Sequence, residues 1–67
     1  MTDKQNKVYE EIKKYIKENG YPPTIRELCD ILNLKSAGTI QVMLKRIKKK
    51  GYIDYNEYKS RTIRIIK

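Results

Sequence analysis

Apolar residues fall along this chain in three stretches of helical period, and then the period changes to alternation. Val8, Ile12, Tyr15 and Ile16 recur at spacings of three and four. They predict one buried stripe on a first helix over about residues 2–19. The opening Thr2-Asp3-Lys4-Gln5 spells a capping box, with the Thr2 hydroxyl accepting from the backbone and the Gln5 side chain reaching back. Asp3 with Lys7 and Glu10 with Lys14 are pairs four residues apart in the favourable order. Each would be worth about 0.2–0.5 kcal/mol. Asn19-Gly20 is a stop signal, because glycine accepts the left-handed backbone that ends helices.

The only two prolines stand side by side in Gly20-Tyr21-Pro22-Pro23-Thr24. Each fixes φ, lacks a donor and disfavours helical geometry in the residue before it. The stretch is therefore an extended elbow. Thr24-Ile25-Arg26-Glu27 then spells a second capping box, and it opens a short helix over about 25–32 with Leu28, Ile31 and Leu32 as its apolar face. Asn33 is placed for a left-handed C-cap, with Leu34 packing inward across the turn. Ser36 is the N-cap candidate of a third helix over about 37–50, which stops at Gly51. A short helix, a tight turn and a second helix make the helix-turn-helix pattern.

At about 100° per residue, Ile40, Leu44 and Ile47 point one way on the third helix. Met43 sits at the edge of this face. Gly38, Val42, Lys45 and Lys49 lie opposite, flanked by Thr39, Gln41 and Arg46. Beyond Gly51, Ile53 and Tyr55 and then Ile63 and Ile65 alternate inward, with Asn56–Ser60 as the turn between them. This predicts a two-stranded wing over about 52–66. The fold class is mainly α with a small β-hairpin (α+β), a single three-helix winged helix-turn-helix domain over residues 1–67.

Charge sharpens this picture through its location. The net charge of +8 lies entirely in the second half. Residues 1–34 carry six basic and six acidic side chains, whereas residues 35–67 carry ten basic side chains against Asp54 and Glu57. From Ser36 to Lys50 there is no acid at all, while Lys45, Arg46, Lys48, Lys49 and Lys50 are basic. Such one-sided excess points to a polyanion partner. With one cysteine, no histidine and no glycine-rich loop, a disulfide framework, a zinc site and most enzyme chemistries are excluded. No cofactor and no metal site is expected. Cys29 is expected as core-facing or half-buried packing, since nothing in the sequence argues for an exposed redox-sensing thiol. No apolar run could span a membrane and the N-terminus is no signal peptide, so the expected compartment is the cytoplasm.

These residues resemble the N-terminal DNA-binding domain of the LexA family of SOS repressors. The resemblance is carried by Thr2-x-x-Gln5, by Gly20–Leu28 (GYPPTIREL), by Leu32-x-Leu34-Lys35-Ser36, by Leu44–Ile53 and by Ser60–Ile65 (SRTIRI). It implies a transcriptional repressor that occupies double-stranded operator DNA, with the third helix in the major groove and the wing near the minor groove. Ser36, Gly38, Thr39, Gln41 and Val42 then fall on the base-facing stretch. Thr24, Arg26, Lys35, Lys45, Arg46 and Lys49 fall near the DNA backbone, and Lys59, Ser60 and Arg61 fall on the wing. Gln41 has the donor and acceptor to pair with adenine, and Thr39 and Val42 offer methyl groups to thymine. Ser36 can cap its helix, contact DNA or do both. Arg26 can assist at phosphate or pair with Asp30 four residues on.

The resemblance also implies an SOS regulon, a palindromic operator and a nucleoid-associated, prokaryotic or phage setting. Family members carry a C-terminal self-cleaving domain that also dimerises. This chain stops just past the wing, without that peptidase. The isolated domain is expected to be monomeric or weakly dimeric, pairing on DNA or through a further domain. Family members place asparagine or acidic side chains where this chain has Gly38, Gln41 and Val42, so no operator sequence carries over. The alternatives are a winged-helix module for an acidic protein partner and a stand-alone phage- or plasmid-type regulator unrelated to SOS. RNA is disfavoured by the absence of a stacking platform.

Overall fold

The computed structural model describes residues 2–67. It contains three helices, α1 (Asp3–Asn19), α2 (Ile25–Ile31) and α3 (Ala37–Lys49), followed by strands β1 (Ile53–Asp54) and β2 (Arg64–Ile65). The strands pair antiparallel, Ile53 with Ile65 and Asp54 with Arg64. This is a winged helix-turn-helix. No helix among the described residues is long and apolar enough to cross a membrane.

Local chemistry sets each boundary. The Thr2 hydroxyl accepts from the Gln5 N–H at 3.2 Å, and Gly20 at φ 79° ends α1 by donating to the Ile16 carbonyl at 2.8 Å. The second capping box closes in both directions. Glu27 N–H donates to Thr24 Oγ1 at 3.0 Å and Thr24 N–H donates to Glu27 Oε1 at 2.8 Å. The turn between α2 and α3 is a Schellman cap with asparagine in the left-handed place. Asn33 has φ 57°, its N–H reaches the Asp30 carbonyl at 3.2 Å, and Leu34 N–H reaches the Cys29 carbonyl at 2.9 Å. Gly51, at φ 84°, repeats the motif after α3, where Gly51 N–H meets Lys48 O at 2.9 Å and Tyr52 N–H meets Ile47 O at 3.4 Å.

The core joins Val8, Tyr9 and Ile12 of α1 to Leu28 and Cys29 of α2 and to Ile40, Leu44 and Ile47 of α3, closed by Ile53 and Ile63. Tyr15 and Ile16 are only half-buried. Tyr9 is the α1 core residue that the stripe omits. Its ring meets Tyr52 edge-on at 5.6 Å between centroids, so the residue that follows the Gly51 turn packs against α1.

Four expectations are corrected. Gln5 does not reach back to its cap. It is 5% exposed, and its carbonyl oxygen accepts from Lys50 Nζ at 3.0 Å, so a cross-helix partner takes the group that the capping box would have used. Ile31 is 44% exposed. The buried arc of α2 runs through Ile25, Leu28, Cys29 and Leu32, and Ile31 lies about 110° from its centre. Ser36 occupies the N-cap position but makes no capping hydrogen bond. Finally, Asp3–Lys7, Glu10–Lys14 and Arg26–Asp30 are absent from the ion pairs of the described residues, which join Glu27 to Arg61 and Asp54 to Lys48 and Arg64. Exposed helical pairs gain too little to hold two long side chains in place.

Leu44 is fully buried and Val42 is 49% exposed two residues away on the same helix. Leu44→Ala is expected to destabilise the domain by about 2–5 kcal/mol, comparable to the whole stability of so small a core. Val42→Ala should stay within about 0.5 kcal/mol of the parent. Urea unfolding followed by helical circular dichroism measures both.

Candidate nucleic-acid interface

The face of α3 opposite the core is open along its length. Ser36, Gly38, Thr39, Gln41, Val42, Lys45, Arg46 and Lys49 are all exposed, as is Lys35 in the turn before. Among the described residues, no hydrogen bond or ion pair occupies the side chains of Gln41, Lys45, Arg46 or Lys49. Gly38 adds a separate signal. A Cβ there would meet only Ser36 Oγ at 3.4 Å, an ordinary contact, so internal packing does not require glycine. Glycine within a helix costs about 0.5–1 kcal/mol relative to alanine.

The basic residues of α3 and its C-cap divide into two groups. Lys45, Arg46 and Lys49 point outward without partners among the described residues. Lys48 is tied to the wing, 3.5 Å from Asp54 Oδ1, 3.1 Å from the Tyr55 carbonyl and 4.9 Å over the Tyr55 ring. Lys50 is tied to Gln5. The expectation of a helix free of neutralising partners therefore holds for only part of its basic set. Asp54 also accepts from Arg64 Nη2 at 3.2 Å. The Arg64 guanidinium, then the Tyr55 N–H and Lys48, hold the Asp54 carboxyl below the usual carboxylate range.

The wing stands beside this face. Ile25 at the start of α2, Gln41 and Lys45 of α3, and Tyr55, Glu57 and Tyr58 of the wing line a cleft of about 190 Å³. Helix start, outer helix face and wing thus lie on one side of the molecule. Tyr58 is 94% exposed at the wing tip, next to exposed Lys59 and Ser60. The tip is organised internally. Asn56 Oδ1 accepts from Tyr58 N–H at 2.9 Å, and Thr62 Oγ1 accepts from Asn56 N–H at 2.9 Å.

Two expected residues, Thr24 and Arg61, have other engagements. The Thr24 N–H and hydroxyl are both used in the capping box, which leaves the N–H groups of Ile25 and Arg26 as the unengaged donors at that helix start. Arg26 is exposed. Arg61 turns back from the wing. Its guanidinium makes a two-pronged pair with Glu27, Nη1 to Oε1 at 2.9 Å and Nη2 to Oε2 at 3.0 Å, while Nη1 also reaches the Pro22 carbonyl at 3.2 Å. The same guanidinium lies 4.9 Å over the Tyr21 ring. Glu27 Oε2 further accepts from the Tyr15 hydroxyl at 3.0 Å. Thr24, then Arg61 and Tyr15, draw the Glu27 carboxyl down to about 2. The capping motif marks Glu27 as a local cap, but nothing in its spacing announces a partner 34 residues away.

Comparison with known proteins fits this arrangement. A family model for the LexA DNA binding domain matches residues 1–62. A LexA repressor from Caldicellulosiruptor saccharolyticus is 48% identical over 66 residues, covering 98% of this chain and 33% of that protein. One from Desulfatibacillum aliphaticivorans is 48% identical over 67 residues, covering 100% of this chain and 33% of that protein. A Clostridium botulinum LexA repressor is 47% identical over 64 residues, covering 96% of this chain and 32% of that protein. The chain spans about a third of the length of the curated relatives it matches.

The Glu27 cluster has a pH signature. Its carboxyl falls from an ordinary 4.5 to about 2 in the folded chain. A depressed carboxylate stabilises the fold above its unfolded pKa, and that contribution fades as pH falls from about 4.5 towards about 2. Thermal midpoints are expected to drop across this window. Glu27→Gln, which can keep the cap without the charge, should flatten part of the drop, with Asp54 supplying a remainder of the same sign. Melting curves at intervals from pH 6 to pH 2 measure the difference.

Proposed function

The chain belongs to the LexA DNA-binding domain family, and from that premise we propose that it binds duplex DNA sequence-specifically and represses transcription by occupying an operator. The observation that carries this reading is the outer face of α3. An acid-free run exposes Ser36, Gly38, Thr39, Gln41 and Val42 for contact and leaves Lys45, Arg46 and Lys49 unengaged among the described residues. In this reading α3 enters the major groove. Gln41 pairs with adenine, and Thr39 and Val42 meet thymine methyls. Gly38 lets the helix approach closely, and the Ser36 hydroxyl, free of capping, can donate. Lys35, Arg26, Lys45, Arg46 and Lys49 neutralise phosphates and so position the helix without specifying sequence. Lys59 and Ser60 bring the wing to the adjacent groove.

The operator is proposed to be palindromic, with two copies pairing on it, and the regulated genes to be those of an SOS response in the bacterial cytoplasm. The role of the chain is recognition, with no chemical step of its own.

Affinity for duplex DNA is expected to fall steeply with salt. Arg26, Lys35, Lys45, Arg46, Lys49 and Lys59 as phosphate contacts predict a slope of log K against log salt of roughly −5 to −6 per bound domain. Fluorescence anisotropy at several salt concentrations measures this, and a flat dependence, or no binding at low salt, would remove the DNA reading.

Gln41→Ala and Lys45→Ala should separate readout from positioning. Gln41→Ala is expected to relax preference at one base pair by about 1–3 kcal/mol. Lys45→Ala should weaken all sequences alike and reduce the salt slope by about 1. Selection from a randomised duplex pool, run on both variants, shows whether their preference profiles diverge.

A further inference from the structure

The wing has little to hold it. Its ladder is two residue pairs, Ile53 with Ile65 and Asp54 with Arg64, and residues 55–63 extend beyond it. A two-stranded ribbon this short is not stable by itself. The Asn56 and Thr62 hydrogen bonds order the loop internally but do not join it to the helices. Ile63 is buried at the base, while the tip from Glu57 to Ser60 is exposed. Lys48 of α3 holds the base of the wing at Asp54 and the Tyr55 carbonyl; beyond Tyr55, the one loop side chain with polar contacts to the helical body among the described residues is Arg61.

Arg61 is built into this role from both ends. Its own backbone is left-handed, at φ 55°, a conformation unfavourable for a non-glycine residue that persists only where surroundings over-determine it. Its guanidinium meets both Glu27 oxygens, the Pro22 carbonyl and the Tyr21 ring. The receiving carboxylate is itself fixed by the Thr24 N–H and the Tyr15 hydroxyl. Glu27 thus accepts three hydrogen bonds, from the Thr24 N–H, the Tyr15 hydroxyl and Arg61 Nη2, with Arg61 Nη1 in ion-pair contact with Oε1 at 2.9 Å. An arginine whose fork is so engaged has little left to offer a phosphate.

We propose that Arg61 is a positioning residue, one that locks the wing onto the Glu27 elbow so that wing and α3 present a preset surface, and that it does not itself contact DNA. The proposal deepens the DNA-binding reading and rests on it for its functional consequence. The lock itself is a property of the free domain. It makes Glu27, an acid close to the presumed DNA face, a residue that favours binding. A simple electrostatic account requires the opposite, because deleting an acid near phosphates should strengthen binding.

The test uses Arg61→Ala, Arg61→Lys and Glu27→Gln, with the Arg61→Ala/Glu27→Gln double variant. Glutamine can retain the Thr24 capping box, so loss of α2 is not built into the design, and amide spectral dispersion verifies folding. In the free domain, heteronuclear NOE values for residues 56–62 are expected to fall in Arg61→Ala and Glu27→Gln alike, with α1 and α3 unchanged. Lysine keeps the charge but not the fork, so Arg61→Lys should lie nearer Arg61→Ala than the parent. On the duplex that the parent domain selects, Arg61→Ala and Glu27→Gln should each lose roughly three- to tenfold in affinity, and the double variant should be no worse than the worse single one. The salt slope should stay at the parent value.

Tighter or unchanged DNA binding by Glu27→Gln overturns the proposal. So does a salt slope reduced by about 1 in Arg61→Ala, full restoration by lysine, or a wing equally ordered in all variants. Should the parent domain bind no duplex at low salt, the DNA reading fails, while the NOE measurements still decide whether the lock exists.

Discussion

One carboxylate ties this small fold together. Glu27 closes the N-terminus of α2, receives the Tyr15 hydroxyl from α1 and receives both prongs of Arg61 from the wing. Without it, the proline elbow would be only a stiff connector and the wing only a short ribbon. Rigid placement of recognition elements matters because base contacts tolerate little misplacement, whereas phosphate contacts position whatever is presented to them. The elbow fixes where α2 begins, and the Asn33 turn fixes the path from α2 to α3. The Glu27–Arg61 pair fixes where the wing stands relative to both. Each device is local and cheap, and they act in series on the pose of α3 and the wing.

The apolar core supplies what those devices cannot. Ile40, Leu44 and Ile47 seat α3 against α1 and α2 by three side chains from which water is fully excluded. Apart from Lys48, which holds the wing, the exposed positions of α3 are thereby released from structural duty. This division explains how Gly38 can persist in a helix that would be more stable with alanine, and why Val42 can remain exposed. Neither position is answerable to the core, so both are available to a partner. The Tyr9–Tyr52 edge contact then couples α1 to the start of the wing. In consequence the two strands depart from a fixed point even though they pair over only two residues each.

Legibility in the sequence followed the range of the interaction. The glycine and asparagine stops, the proline elbow, the Thr24–Glu27 box and the Ile40–Leu44–Ile47 face are all decided within a turn or two of chain, and the structure shows each where local rules put it. The misreadings have the opposite character. Gln5 was assigned to its own helix end but serves Lys50, 45 residues away. Lys48 was counted with the free cations but belongs to Asp54 and Tyr55. Arg61 was read as part of a basic wing tip, yet its guanidinium faces Glu27. For Gln5 a valid local partner is displaced by a distant group, whereas Lys48 and Arg61 have no partner in their local motifs and meet one only when the fold brings Asp54 and Glu27 beside them. Ile31 failed for a related reason, since a helix as short as α2 takes its buried arc from the neighbours it meets. Of the candidate interface, the free face of α3 was legible because it is defined by what is missing, namely acids. The partition of cations was not, because it depends on where the few acids of the folded chain come to rest.

That partition bears on how salt should act on such a molecule. Asp54 and Glu27 remove Lys48, Arg64 and Arg61 from the exposed positive field, so the excess charge that meets a partner concentrates on Lys35, Lys45, Arg46, Lys49 and Lys59. Those free cations interact with phosphates through counterion release, which responds continuously to ionic strength. The internal pairs are hydrogen-bonded at about 3 Å, well inside a Debye length of about 10 Å at 0.1 M salt, and the Glu27 pair is two-pronged and part of a network. Salt therefore weakens the contact with the partner well before it loosens the surface that makes the contact. Positioning and attraction are assigned to different sets of charges, and a domain with so small a core keeps its recognition geometry across conditions in which its affinity changes greatly.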